Sequence, residues 1–414
     1  MTEPITKQPN PACQPGEPAR IEGLAQLHKA AVTGTSLTSM IEACTAQTPG
    51  ASEFMTLAMI FLMTGNPDAA ADLQARALTI NPWYRINQPT NPDAIRLLVV
   101  MQPGFMQDNT PIDFVLQDPD IRMDWWFVPD GNDLPPDLPD HDILLTGLGE
   151  STRIRPQLER MAQRLRSWPH PVINRPEHIV RLARHQLPQL LAHLPMVHVP
   201  PTLLLDRSAV AAMSRDGTLC QHLGIEQSSP WLIRPLDTHG GHGLHLVRHP
   251  ADLESALAET AASHFHVAPF VDYRSADGLY RKCRLALCNG RAFAGHLAIS
   301  EHWMVHYKNA GMAEHDERRQ EEQVFMERFD EDFARRHAPA LTAIAERSGL
   351  DYVVMDCAEL PDGRLLVFEL DNRGFMHAID PSEQYAWKPA VMQKLFDAFA
   401  SLLKQRARSG INPA

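Results

Sequence analysis

Residues 351–377 read DYVVMDCAELPDGRLLVFELDNRGFMH, and the fold turns on how this segment is read. Two apolar runs, 352–360 and 365–370, flank Pro361-Asp362-Gly363-Arg364. Asp-Gly between strand-like runs predicts a two-residue type I′ hairpin turn, because both central positions of that turn need positive φ. Pro361 then pairs with Arg364, every later pair sums to the same residue total, and Asp356 falls directly opposite Glu369. Strand alternation puts Asp371 on the face of Glu369. Both faces are otherwise largely apolar, with Val354, Ala358, Leu360 and Val367 on one and Val353, Met355, Leu366, Phe368 and Leu370 on the other. Carboxylates in such strands repel across the ladder and are costly to bury without a positive partner. A divalent cation shared by opposed side chains about 5 Å apart would supply one. The alternative is an edge hairpin whose acids lean into solvent, and the hairpin alone leaves the two readings level.

The chain has 414 residues, 44% of them hydrophobic, enough for two or three domains with real cores. A net charge of −12 argues against non-specific nucleic-acid binding, which needs a basic surface. The cysteines at 13, 44, 220, 283, 288 and 357 form no Cys-x-x-Cys pair and read as reduced thiols of a cytoplasmic protein. His239, His242 and His245 lack any zinc-protease or zinc-finger spacing, which argues against a dedicated transition-metal site. Residues 1–18 read as a disordered tail. The longest apolar run, near 55–63, is too short to cross a bilayer, so no membrane partner is expected.

Residues 19–86 read as helical. Helix 51–64, a turn at Gly65-Asn66-Pro67-Asp68 and helix 69–80 form a hairpin, with Gly after the first helix and Pro67 at the start of the second. Residues 77–82, ALTINP, resemble the end of a tetratricopeptide unit. A repeat array needs about three such units and one is present, so a hairpin packed on the next domain is favoured over a peptide-binding solenoid. After a linker at 87–92, strands 96–101, 123–128, 142–146 and 172–174 alternate with helices, which predicts a small parallel α/β domain over 93–200. Gly147-Leu148-Gly149-Glu150-Ser151 lacks the third glycine of a dinucleotide fingerprint, yet a loop after a parallel strand is where ligands sit.

A helix is read over 177–191, carrying Arg184. Strand 231–236 carries Arg234 into Asp237-Thr238-His239-Gly240-Gly241-His242-Gly243 and out through 244–247. Strand, glycine loop, strand is a flap, whose backbone N–H groups can approach phosphate oxygens because glycine adds no bulk. An ordinary glycine-rich hairpin is the alternative. Strand 264–271 ends in a segment, 267–272, that suits an interdomain hinge. Strands 279–288 and 291–299 turn at Asn289-Gly290 and place Lys282 and Arg284 on one face, which suggests an anionic ligand or exposed charge. Residues 300–312, SEHWMVHYKNAGM, lack periodicity and suit a loop with a specific task. Helices over 314–336, 339–348 and 389–404 complete the pattern.

In this order the pieces over residues 95–403, about three quarters of the chain, resemble the ATP-grasp superfamily, especially glutathione synthetases and ribosomal-protein glutamate ligases. The resemblance implies an α/β (α+β) fold: N-terminal helical hairpins, a small parallel pre-ATP-grasp domain, then an ATP-grasp domain over 201–405 of two α+β subdomains. A nucleotide flap subdomain would span about 206–270 and a metal-site subdomain about 271–405. The family holds ATP phosphates with two Mg²⁺ ions, for which Mn²⁺ can substitute. Asp356 matches the first metal ligand, Glu369 the bridging one, and the third falls on Asp371 or Asn372. Arg234 and Arg184 stand where the family has ATP-contacting lysines. His239, Gly240, Gly241 and Gly243 match its phosphate flap. Ala268 and Phe270 would meet adenine through their backbones, and Asp272 the ribose. Arg284, with Lys282 beside it, matches an arginine at the acyl phosphate, and Asn309-Ala310-Gly311 a loop that follows. The departures are Arg for Lys twice, and Pro269 where the hinge normally carries an acid. They raise a degenerate homologue, against which the three retained carboxylates stand.

The implied reaction activates a small-molecule or peptide carboxylate as an acyl phosphate, which an amine or thiol acceptor then attacks. His296, His302 and His306 are candidate substrate-side groups or structural ones. Two rivals stay open: a kinase that stops at a phosphorylated product, and an interaction protein that contacts a protein or peptide through residues 19–86.

Overall fold

The computed structural model describes residues 16–381 and 383–410, so the expected tail lies outside it for residues 1–15. Strand β1 (Ala19–Arg20) precedes four helices, Leu24–Val32, Leu37–Thr45, Ala51–Met63 and Pro67–Ile80, and β2 (Trp83–Arg85) follows them. Glu53 caps the third helix by accepting the Gly50 N–H at 2.9 Å, and Pro67 opens the fourth. Segment 19–86 is therefore helical only between two strands, and both strands belong to the next sheet. Leu27, Met55, Ile60 and Ala77 bury in the same core as that sheet, so the helices pack as part of the α/β unit.

The sheet continues with β3 (Ile95–Met101), β4 (Ile121–Phe127), β5 (Ile143–Thr146) and β6 (Val172–Ile173), in the order β1-β2-β4-β3-β5-β6. Its central pairs are parallel, and their near-continuous apolar sequences suit strands covered on both faces. Strand β7 (Val197–His198) leaves this sheet. Strands β8 (Leu203–Asp206), β9 (Trp231–Pro235), β10 (His245–Val247) and β11 (His264–Pro269) form an antiparallel sheet, β10-β9-β11-β8, over its own small core of Val210, Leu219, Phe265 and Val267. Strands β12 (Tyr280–Cys288), β13 (Arg291–Ser300), β14 (Tyr352–Glu359) and β15 (Leu365–Asp371) form a third sheet, β13-β12-β14-β15-β7, which helix Lys388–Ser409 packs against. The chain is mixed α/β. Among the described residues, no helix is long and apolar enough to cross a membrane.

The hairpin β14–β15 differs from expectation in its turn. Leu360 pairs with Arg364, the Gly363 N–H donates to the Leu360 carbonyl at 2.8 Å, and Gly363 takes φ +82°. That is a three-residue loop, a type I turn closed by a left-handed glycine, which suits Pro361 at the first corner. It displaces the register by one. A bulge at Phe368 displaces it back, so Cys357 pairs with Val367 but Asp356 still pairs with Glu369.

Region 177–191 is not one helix. Pro188 fits the first turn of a helix but not its interior, and the chain breaks into Pro176–Ile179, Val180–Leu182 and Leu187–Leu190. Arg184 sits on the turn between the last two.

Two buried asparagines fasten the parallel sheet to the hairpin. Asn174, at φ +54°, donates to the Tyr352 carbonyl at 2.8 Å and accepts the Tyr352 N–H at 2.9 Å, completing the ladder at the start of β14. Asn372 donates to Thr110 Oγ1 at 3.2 Å and to the Leu148 carbonyl at 2.9 Å. Asn174→Ala leaves both Tyr352 backbone groups unpaired and puts alanine at positive φ. It should cost about 3 kcal/mol in urea unfolding, whereas a loss below about 1 kcal/mol would show that the fastening carries little.

Candidate functional site

The pairings β13–β12, β12–β14 and β14–β15 line up His296, Arg284, Asp356 and Glu369 as one row across four strands. Asp356 is only 2% exposed, and two cations answer it. Arg284 Nε and Nη2 donate to its two oxygens at 2.8 and 3.0 Å, and Lys282 Nζ lies 2.7 Å from Oδ2. Burial works against the charge, but the Arg284 and Lys282 attractions outweigh it and hold the Asp356 carboxyl well below the usual range. Glu369 pairs with Arg184, and although burial opposes its charge, Arg184 lowers its pKa. Asp371 is held by Arg373, whose backbone N–H, Nε and Nη2 donate at 2.8, 2.9 and 3.1 Å; this pair lowers the Asp371 carboxyl against burial. The Arg373 side chain crosses Gly149, where a Cβ would stand 1.8 Å from its Cδ, so only glycine fits there.

The Arg184–Glu369 pair lies where two cavities meet. One, of 230 Å³, has Leu232, Ala268, Phe270, Val271, Trp303 and Val305 on its walls and Arg184, Arg234, Lys282, Arg284, Asp356 and Glu369 at its polar end. Gly240 and Gly241 border it, and positions for their Cβ atoms lie 3.8 Å from His306 Nε2 and 3.4 Å from Met304 Sδ. The flap thus lies over the 303–306 loop. The other cavity, of 430 Å³, has many charged and polar side chains on its border, among them Glu150, Arg155, Asp237, His239, Asp371 and Arg373.

Several expected residues are placed elsewhere. Asn372 is turned into the domain contact, which leaves Asp371 as the third carboxylate in the cavities. Asp272 pairs with the exposed Arg274 outside the first cavity. Asn309 staples its own loop, its Oδ1 accepting the His306 N–H at 2.8 Å. Gly243 faces Pro235, and His239 borders the second cavity. His296, half-buried at the end of the row, borders neither cavity and has its ring centroid 4.7 Å from that of Tyr307. His306 borders the first cavity, as Phe270, Ala268 and Arg234 do; His302 does not.

Three neighbours of these residues went unread. Arg234 donates to Thr238 Oγ1 at 3.0 Å and to its carbonyl at 2.6 Å, tying β9 to the flap. Arg373 lies two residues after Asp371, a spacing that faces both the same way. His266 pairs across the ladder with Arg234, borders both cavities and stacks on His185, with ring centroids 5.6 Å apart. Strand alternation from Ala268 could have found it. Burial, then Arg184, push its imidazole down to about 3.

Asp356, Glu369 and Asp371 are hard oxygen donors of the kind Mg²⁺ takes, brought to one end of a hairpin. Among the described residues, however, no three acidic, cysteine or histidine side chains close round a common point. The donor set fits such an ion in chemistry, with its present partners the cations above.

No family model and no curated protein matches the sequence. Solved structures similar to this chain include D-alanine–D-alanine ligase from Coxiella burnetii, 12% identical with a TM-score of 0.46, covering 76% of this chain and 96% of that one. The D-alanine–D-alanine ligase of Bacillus anthracis complexed with ATP is 13% identical with a TM-score of 0.45, covering 76% and 99%. An ATP-grasp RimK domain protein from Sphaerobacter thermophilus is 16% identical with a TM-score of 0.41, covering 74% and 99%. All three similarities extend over about three quarters of this chain and nearly the whole of the other.

Asp356→Asn removes the buried charge that two half-buried cations share and should cost about 2–4 kcal/mol by chemical denaturation; a loss under about 1 kcal/mol would contradict the pairing. His266 gives a pH signature. Its native value lies below the ordinary 6.5, so the unfolded chain binds more protons between those values and stability falls as pH drops through that window. From pH 7 to 5 that contribution should fall by about 2 kcal/mol. His266→Gln should reduce the measured pH dependence by the same amount.

Proposed function

We propose that the chain is an ATP-dependent ligase that joins a carboxylate to an amine, or alternatively a thiol, through an acyl phosphate, releasing ADP and phosphate. The observation that carries this reading is the meeting of two unlike cavities at Arg184 and Glu369. Apolar walls with Phe270 and Trp303 suit a purine base, and the four cations beyond them suit a polyphosphate. The second cavity, with its charged border, suits the acid and its acceptor.

In the first step a carboxylate oxygen attacks the terminal phosphorus, and the bond to the ADP oxygen breaks with its electron pair going to ADP. The acceptor then attacks the acyl carbon, and phosphate leaves with the pair of the C–O bond. Arg184 and Arg234 would grip phosphate oxygens, and Lys282 and Arg284 would neutralise charge at the transferring group. The flap at Gly240 and Gly241 would close over the phosphates and exclude water. A bound Mg²⁺ or Mn²⁺ supplies further neutralisation of phosphate charge, with Asp356, Glu369 and Asp371 as its ligands.

An ADP-release screen over amino acids and small carboxylic acids, with and without amines, tests this. Sustained ADP turnover should need acid and acceptor together, and Glu369→Gln should abolish it in a protein that stays folded. ADP with a stable phosphorylated product and no acceptor requirement would make the chain a kinase. Absence of ATP binding by calorimetry would remove the reading.

A further inference from the structure

The carboxylates that would hold the divalent ion already have cations in its place. Both Asp356 oxygens are occupied, Oδ1 by Arg284 and Oδ2 by Arg284 and Lys282. Both Asp371 oxygens are taken by Arg373, and Glu369 holds Arg184. Around the two cavities Arg155, Arg184, Arg234, Lys282, Arg284 and Arg373 are six positive charges against the five of Glu150, Asp237, Asp356, Glu369 and Asp371, a surplus of one, and the side-chain hydrogen bonds of Arg234 go to Thr238. A bare divalent ion therefore approaches a positive cluster and must strip a side-chain cation from a carboxylate, leaving that cation unpaired in a largely buried site. A polyphosphate meets the opposite situation. The surplus attracts it, and its oxygens offer Lys282, Arg284 and Arg184 replacement partners.

We propose that this site takes its nucleotide first and its divalent ion second, with Lys282 and Arg284 filling the ion's place at Asp356 until phosphate oxygens draw them off. The proposal rests on the ATP reading above. It makes ion and nucleotide affinities interdependent, and linkage requires the same factor in both directions, about ten- to a hundredfold.

Mn²⁺ is the probe, its free aquo signal followed by electron paramagnetic resonance with protein alone, ADP alone and both together. Protein alone should leave the Mn²⁺ signal unchanged at concentrations where protein with ADP depletes it beyond the ADP control. Lys282→Met, checked for folding by circular dichroism, should bind Mn²⁺ without nucleotide. Wild-type protein that binds Mn²⁺ equally with and without ADP would overturn the proposal, as would a folded Lys282→Met that gains no ion binding. If ADP fails to bind at all, the ligase reading falls, while the comparison of wild type with Lys282→Met still decides who occupies the ion's place.

Discussion

A carboxylate buried in the central strand of a sheet must be answered by positive charge, and the answer given to Asp356 and its two neighbours organises the molecule. Strand β12 sends Lys282 and Arg284, and the turn before helix Leu187–Leu190 sends Arg184 to Glu369. Strand β9 sends Arg234 into the same cavity. Arg373 holds Asp371 while lying across Gly149 of the parallel sheet. Strand β12, the 183–186 turn and the hairpin's own Arg373 thus supply the cations that answer the three carboxylates. Any one of these ion pairs at a surface would contribute little.

The two walls that close the first cavity are held very differently. The loop carrying Trp303 to His306 is anchored through Tyr307, whose hydroxyl donates to Glu322 at 2.9 Å and accepts from Lys388 at 2.8 Å. Lys388 is 3% exposed and sits against the rings of Tyr307 and Tyr385, 4.6 and 4.3 Å from their centroids. Glu322 is fully buried and also accepts the Leu297 N–H of β13 at 3.3 Å. Opposite it, the flap is a run of positive-φ glycines held at its base by Thr238 and by Asp237, which accepts the Thr152 N–H. One rigid wall and one hinged wall are what a closing lid needs.

The opposition of Asp356 and Glu369 was legible in the sequence, though through two errors that cancel. Asp-Gly pointed to a two-residue turn, and nothing in the local pattern announced the bulge at Phe368. The parallel α/β unit was legible because doubly covered strands leave continuous apolar runs. Its fusion with the N-terminal helices was not, since β1 and β2 are too short to show a period. Arg184 was placed near the right residues on the wrong element, because Pro188 was overlooked as a break. The choice between Asp371 and Asn372 could not be made from the hairpin alone. It depends on Thr110 and Leu148, more than 200 residues away in the chain, to which the asparagine amide turns.

Arginine at position 234 suits the burial of its site. Arg234 must hold the Thr238 hydroxyl and carbonyl at once, which a planar fork can do and a single ammonium does poorly. Burial, followed by repulsion from Arg184, lowers the Arg234 guanidinium to about 10, and at neutral pH it keeps its charge. A lysine starts about two units lower. Depressed by the same surroundings, it would hold its proton less firmly than arginine does, and the positive charge of the cavity would be less secure. The substitution that looked like a departure at the level of sequence is thus the one that keeps charge in a site already crowded with cations.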